Sequence, residues 1–180
     1  ALCSCLMVLQ MTVPRAEEEL TRLTQNSLLS LARAYAVGME TENAERESAG
    51  IEMDYDAYAG ILADANMEGV ESSYAYMVSP EGTMLYHPTA SKVGAPVENA
   101  VVKEVVAKIK SGIIPQPEVV SYDFNGEIKY ASYYVLSTKD IIVISTDEEE
   151  VLSGINAMML HSGEGMLVVM IVLAVVIIVL

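Results

Sequence analysis

Cysteine and basic side chains are scarce in this sequence. The two cysteines, Cys3 and Cys5, lie in the first apolar stretch, so no disulfide can staple the charged middle of the chain. No further thiolate or nearby histidine completes a metal shell around them, and we predict neither a metal nor a cofactor. Ten Lys and Arg stand against 25 Asp and Glu, a formal net charge of −15. Such a surface repels a polyanion, which argues against a nucleic-acid partner.

Signatures of catalysis are missing as well. The sequence has no serine elbow with partnering His and Asp, no HExxH pair and no P-loop. An acidic run, Asp147 to Glu150, follows the last predicted strand. There it suits the first turn of a helix, with Asp147 as a candidate cap, better than it suits a divalent cation site. We therefore predict a binding protein and not an enzyme.

Charge is also absent from both ends of the sequence. Residues 1–13 are interpreted as the end of a first transmembrane helix, and residues 166–180 as the start of a second. Between them we expect one domain at residues 14–155 and a juxtamembrane stretch at residues 156–165. A remnant of a signal peptide or a lipoprotein cleavage site is the alternative for the first stretch.

The charged middle opens with a long helical pattern. Pro14 suits the start of this helix, and three glutamates fall in its first turn. Apolar residues recur at steps of three to five, which places them roughly on one face. They are Leu20, Leu23, Leu28, Leu31, Tyr35 and Met39. The stripe fits a helix packed on its own domain, and a contact with a second copy of the chain is the alternative. Symmetric dimers are the commonest protein assembly, so we expect a homodimer.

Strand signals follow the helix. The Ser-Pro-Glu-Gly and Asn-Gly segments are typical hairpin turns. The predicted strands are 73–78, 83–87, 118–124, 127–136 and 140–146, with a helix at 100–110 between the hairpins. Local connections between short strands favour an antiparallel sheet covered by helices. The fold class predicted is α+β, with a long N-terminal helix and a five-stranded antiparallel sheet.

Three segments carry a resemblance to a known family. They read "YAYMVSPEGTMLYHPTASKVGAPVEN", "YDFNGEIKYASYYVL" and "DEEEVLSGI". Together they resemble the extracytoplasmic single Cache domain, the PAS-like sensor of bacterial methyl-accepting chemotaxis proteins. The most specific piece is the S-P-x-G turn between two strands, the second ending in Tyr-His-Pro, followed by Lys-Val-Gly. The sequence departs from relatives that bind amino acids, since it lacks their cluster of Arg, Trp and Tyr.

The resemblance implies a transmembrane chemoreceptor. It would be a multi-pass protein of the cell membrane, with its central Cache domain outside the cytoplasm and two flanking transmembrane helices. Binding of a small molecule would be relayed to cytoplasmic signalling partners through a module after the second helix. The input domain of a histidine kinase or of a cyclic-nucleotide enzyme is an alternative, as is a membrane-tethered solute-binding module.

Four side chains are candidates for ligand contact, namely Tyr76, His87, Lys129 and Tyr133. Tyrosine combines an apolar ring with a hydroxyl donor, and a lysine or histidine can pair with a carboxylate. We predict a short carboxylate bound between the first hairpin and the fourth strand. Strand alternation puts Lys129 and Tyr133 on one face and Tyr130 on the other, without showing which face lines the pocket. Each candidate also has a structural alternative as a core, backbone-bonded or solvated residue.

Overall fold

A computed structural model of the chain describes the backbone of residues 2–153 and the side chains of residues 14–153. Its elements follow the chain as α1 (Leu2–Ala49), α2 (Tyr55–Leu62), β1 (Tyr74–Val78), β2 (Met84–Tyr86), α3 (Ala100–Lys110), β3 (Glu118–Phe124), β4 (Glu127–Val135) and β5 (Ile141–Asp147). The strands form one antiparallel sheet in the order β2-β1-β5-β4-β3. The predicted α+β class, long N-terminal helix and five-stranded antiparallel sheet are confirmed.

Helix α1 continues through Pro14, so the prediction that the helix begins at this proline is wrong. The helix therefore lacks the backbone hydrogen bond that a residue with an N–H group would donate at position 14. The helix ends before Gly50, which adopts a φ of +69°. The N–H groups of Gly50 and Ile51 bond the carbonyls of Glu47 and Arg46, which closes the last turn.

One face of the sheet packs on α1 and α2. The buried residues of α1 recur every three or four positions, as expected for one helical face. They are Leu28, Ala32, Ala36 and Met39. Leu28 and Met39 of the predicted stripe are therefore core residues, whereas Leu23 is 52% exposed. The buried Ser132 hydroxyl of β4 donates to the Leu28 carbonyl at 2.9 Å and ties the sheet to this helix.

The other face of the sheet packs on α3, which has its predicted bounds. Valines and one isoleucine of α3 meet alternate residues of β1, β4 and β5. Strand β5 lies in the middle of the sheet, and its first six residues are buried. An antiparallel strand covered on both faces reads as a continuous apolar run, which explains the sequence Ile-Ile-Val-Ile at this position.

Both predicted hairpin turns are present. Asn125 and Gly126 have φ angles of +59° and +89°, as a two-residue turn with two left-handed positions requires. In the first hairpin, the Gly82 N–H donates to the Ser79 carbonyl at 2.9 Å, and Gly82 adopts a φ of +93°. The turn residues thereby set the register of the two strand pairs at the edges of the sheet.

Residues 148–153 are helical and follow β5 without a linker; we call them the exit helix. Within residues 2–153, no helix is both long and apolar enough to cross a membrane. The predicted juxtamembrane stretch at 156–165 and the predicted second transmembrane segment at 166–180 lie outside the described residues, as does the domain boundary at 155.

Candidate ligand-binding site

A narrow cleft opens between the α3 face of the sheet and the loop after β2. Its walls are Tyr74, Tyr76, Met84, His87, Lys92, Val97, Glu98, Asn99, Tyr122 and Phe124. The cavity volume is about 30 Å³, room for no more than a few water molecules. Pockets that hold organic ligands typically begin at roughly 300 Å³. The walls of the cleft must therefore part to admit a ligand, and the ligand must be small.

Aromatic rings form most of the inner wall. Tyr74 and Tyr76 of β1 share one face by strand alternation, with ring centroids 6.0 Å apart. The His87 ring packs against both, at 5.3 Å from Tyr74 and 5.8 Å from Tyr76. Tyr122 and Phe124 of β3 close the opposite side. The cleft thus offers apolar ring faces edged with hydroxyl and imidazole groups.

His87 is held as a neutral hydrogen-bond donor. Its Nδ1 accepts the Thr89 N–H at 2.8 Å, so the proton of the neutral ring resides on Nε2. Burial lowers the pKa of His87, and the nearby charge of Lys92 adds to the effect. The imidazole is therefore neutral near pH 7 and can donate from Nε2.

Asn99 links helix α3 to the cleft. Its Oδ1 caps α3 by accepting the N–H groups of Val101 at 2.9 Å and Val102 at 3.4 Å. Its Nδ2 then donates to the Tyr76 hydroxyl oxygen at 3.2 Å. Because that oxygen accepts, the Tyr76 proton is directed to another partner. Burial raises the pKa of Tyr76 well above its usual value, so this hydroxyl stays protonated.

Two opposite charges stand at the rim. Lys92 Nζ lies 3.4 Å from the Glu98 carboxylate and 5.5 Å from the centroid of the Phe124 ring. The Lys92 and Glu98 side chains are 38% and 65% exposed. A pair exposed to this degree contributes only about 0–1 kcal/mol and exchanges partners readily. The Lys92 ammonium is therefore free to turn towards a bound anion.

The structure brings together two of the four predicted contact residues. Tyr76 and His87 line the cleft. Lys129 is instead paired with Asp147, with Glu127 at 3.9 Å, and Tyr133 donates to Glu118 at 2.6 Å. Lys129 and Tyr133 do lie on the face of β4 that is turned towards the cleft, whereas Tyr130 lies on the other face. A ligand contact by these two residues stays a prediction.

Sequence reasoning missed several walls of the cleft. Tyr122 and Phe124 are two residues apart on β3, as Tyr74 and Tyr76 are on β1, and this spacing could have shown that both rings lie on one face of the strand. Asn99 precedes α3 as a helix cap, but no local pattern shows that its amide also reaches β1. Cross-strand proximity between β1 and β3 depends on the sheet order, which hairpin signals alone do not determine.

The acidic run after β5 holds the exit helix against the sheet. The Glu150 carboxylate accepts the backbone N–H groups of Glu71 and Ser72, both at 2.7 Å. The Ser72 side chain, followed by these two backbone hydrogen bonds, lowers the pKa of Glu150. Glu148 accepts the Tyr130 hydroxyl of β4. Since Glu71 and Ser72 lead into β1, the exit helix is tied to the strand that carries two tyrosines of the cleft.

Among solved structures, the ligand-binding domain of Mlp24 with asparagine has a TM-score of 0.42 and 11% identity, covering 58% of this chain and 39% of that chain. The periplasmic sensory domain of the Campylobacter jejuni chemoreceptor Tlp1 has a TM-score of 0.43 and 19% identity, covering 55% and 36%.

No known protein-family profile matches the sequence. Among characterised proteins, the methyl-accepting chemotaxis protein PscA of Pseudomonas syringae pv. tomato is 29% identical over 111 residues. That match covers 58% of this chain and 17% of PscA, so it spans a small part of the relative's length. The predicted resemblance is confirmed by this finding: the chain is similar in sequence to a methyl-accepting chemotaxis protein.

Proposed function

We propose that this chain is the ligand-sensing region of a transmembrane chemoreceptor, in which residues 14–155 bind a small molecule outside the cytoplasm. The observation that carries the proposal is the cleft, because its aromatic walls and converging donors suit a small organic ligand. The similarity to PscA supports the receptor context. The role is binding and relay, and the chemistry of the cleft residues asks for no catalytic step.

The donors around the cleft favour a short carboxylate. Asn99 donates to the Tyr76 oxygen and Thr89 donates to His87 Nδ1, which leaves Tyr76 O–H and His87 Nε2–H to donate to a ligand, and the Lys92 ammonium stands at the rim. Charge-assisted hydrogen bonds to a carboxylate are among the strongest available in such a site. We therefore assign to Lys92 the pairing with the ligand carboxylate that the sequence predicted for Lys129, because Lys129 is paired with Asp147.

The relay runs through the two strands that flank the cleft's inner wall. Tyr122 of β3 hydrogen-bonds Ser145 of β5 at 3.1 Å, two residues before the end of that strand. The Glu150 carboxylate joins the exit helix to the chain that leads into β1. A ligand that moves Tyr122 or β1 therefore displaces the exit helix. Only a ligand with different affinity for two such arrangements shifts their populations.

Replacing Lys92 by glutamine is expected to weaken carboxylate binding at least about tenfold, equal to about 1.4 kcal/mol. The substitution removes the charge at the rim while keeping most of the stem. Titration calorimetry of the purified chain in detergent micelles with acetate, propionate, pyruvate and glycine betaine measures the effect. Lys103→Gln is the matched control, because this lysine is exposed on α3 away from the cleft walls. Equal affinities for parent and Lys92→Gln would contradict a carboxylate ligand at this site.

We also propose that the receptor is a homodimer with α1 close to the symmetry axis. Leu23 and Val37 are 52% and 68% exposed, although both are apolar. They lie about four helical turns apart and hence on nearly the same face. A cysteine scan from Leu20 to Met39 should give disulfide cross-linking that peaks near Leu23 and Val37 and falls to a minimum at the buried Leu28. A flat profile would rule out this interface.

A further inference from the structure

The formal charges that line the cleft cancel. Lys92 contributes one positive charge, Glu98 one negative charge, and the His87 ring is neutral near pH 7. The protein as a whole carries a net charge of −15, which opposes the entry of a plain anion. A carboxylate that brings its own positive charge avoids this repulsion, since the ligand is then neutral overall.

Aromatic faces are concentrated in the cleft. The sequence contains ten tyrosines and one phenylalanine, and the walls include three of these tyrosines together with Phe124. The Lys92 ammonium already lies over the Phe124 ring, 5.5 Å from its centroid. The protein's own side chain thus places a cation within the distance of a cation–π contact on this ring face.

The hydrogen-bonding groups distinguish between kinds of ammonium. A primary ammonium has three N–H donors and needs acceptors to replace lost water. Two acceptors along the inner wall are occupied, Asn99 Oδ1 by α3 and His87 Nδ1 by Thr89, which leaves the tyrosine hydroxyl oxygens as the neutral side-chain acceptors there. The Glu98 side chain, the carboxylate among the cleft walls, is 65% exposed at the rim. A quaternary ammonium requires no acceptor and gains its binding energy from ring faces.

We propose that the preferred ligand is a betaine, that is, a short carboxylate carrying a quaternary methylated ammonium. Its carboxylate contacts Lys92 and His87, and its methyl groups pack on the rings of Tyr122 and Phe124. Turning towards the carboxylate takes the Lys92 ammonium off Phe124 and leaves that face to the ligand. This inference rests on the proposed function and narrows its ligand class.

The test compares glycine betaine with 3,3-dimethylbutyrate, which has the same shape but a carbon in place of the charged nitrogen. Calorimetric titration of the purified chain in micelles should show glycine betaine binding about 2- to 30-fold tighter, the range expected for a cation–π contact. Glycine, with its primary ammonium, should bind more weakly than glycine betaine. Phe124→Leu should reduce the preference for glycine betaine over its isostere, measured as the ratio of the two dissociation constants, because leucine keeps an apolar contact but offers no ring face.

Three results separate the possible failures. Equal or tighter binding of 3,3-dimethylbutyrate overturns the betaine inference and leaves a carboxylate sensor in place. Tighter binding of glycine overturns it in favour of a primary ammonium. If acetate, propionate, pyruvate and all three test compounds fail to bind, the carboxylate class put forward as the proposed function fails, and the betaine inference with it. The comparison of ligands uses the parent chain, so it does not depend on the folding of any variant.

Discussion

Replacing Leu28 by alanine is expected to lower the free energy of unfolding by about 3 kcal/mol. The Leu28 side chain is fully buried, and its loss leaves a cavity in the core cluster that also contains Met77, Ile142 and Ile144. For a chain of this size, a change of about 3 kcal/mol corresponds to a fall of roughly 6–12 °C in the melting temperature. Urea unfolding of the purified chain, followed by circular dichroism, measures it.

Leu23→Ala on the same helix is the matched control. Its side chain is 52% exposed, so the same substitution should change the free energy of unfolding by no more than about 0.5 kcal/mol. The pair tests which face of α1 packs on the sheet. Similar losses of stability in both variants would mean that α1 is rotated relative to the sheet described above.

Lys129→Ala is expected to destabilise the fold by about 2–4 kcal/mol, because it leaves Asp147 without its partner. The Lys129 and Asp147 side chains are 12% and 31% exposed, so the ammonium is largely shielded from water and the carboxylate partly so. Asp147 is also the last residue of β5, where the exit helix begins. Thermal unfolding of the purified chain reports the loss.

The double variant Lys129→Met with Asp147→Leu separates this structural role from ligand binding. Replacing both partners by apolar side chains of similar size should restore most of the lost stability. Propionate binding to the double variant should match that of the parent, since neither residue lines the cleft. A parent-like stability of Lys129→Ala, combined with loss of propionate binding, would return Lys129 to the site as first predicted.

Strands and turns were the most predictable part of the fold. A two-residue hairpin turn requires two positive φ angles, which Asn125 and Gly126 adopt easily. This local preference is enough to locate the β3–β4 hairpin in the sequence. The start of α1 was not predictable in this way. Pro14 carries a strong local preference for a helix start, yet the helix begins at Leu2 and runs through it.

The cleft was only half predictable, because it is assembled from strands that are distant along the chain. Period-two alternation paired Tyr74 with Tyr76 correctly on one face. It could not show that β3 lies on the same side at a distance that lets Tyr122 close the cleft. Lys129 illustrates the limit: its strand position is as predicted, but Asp147, a neighbour 18 residues away, takes up its charge.

The position of β5 in the sheet has a mechanical consequence. The exit helix follows the central strand, which is hydrogen-bonded to β1 on one side and to β4 on the other. A force along the exit helix therefore acts on the hydrogen bonds of two strand pairs at once, and β5 cannot separate from one neighbour without also moving against the other. Edge strands fray first under such a load, and β5 is shielded from both edges. In the proposed receptor, this double attachment passes a small rotation at the cleft to the exit helix as a movement of the whole strand.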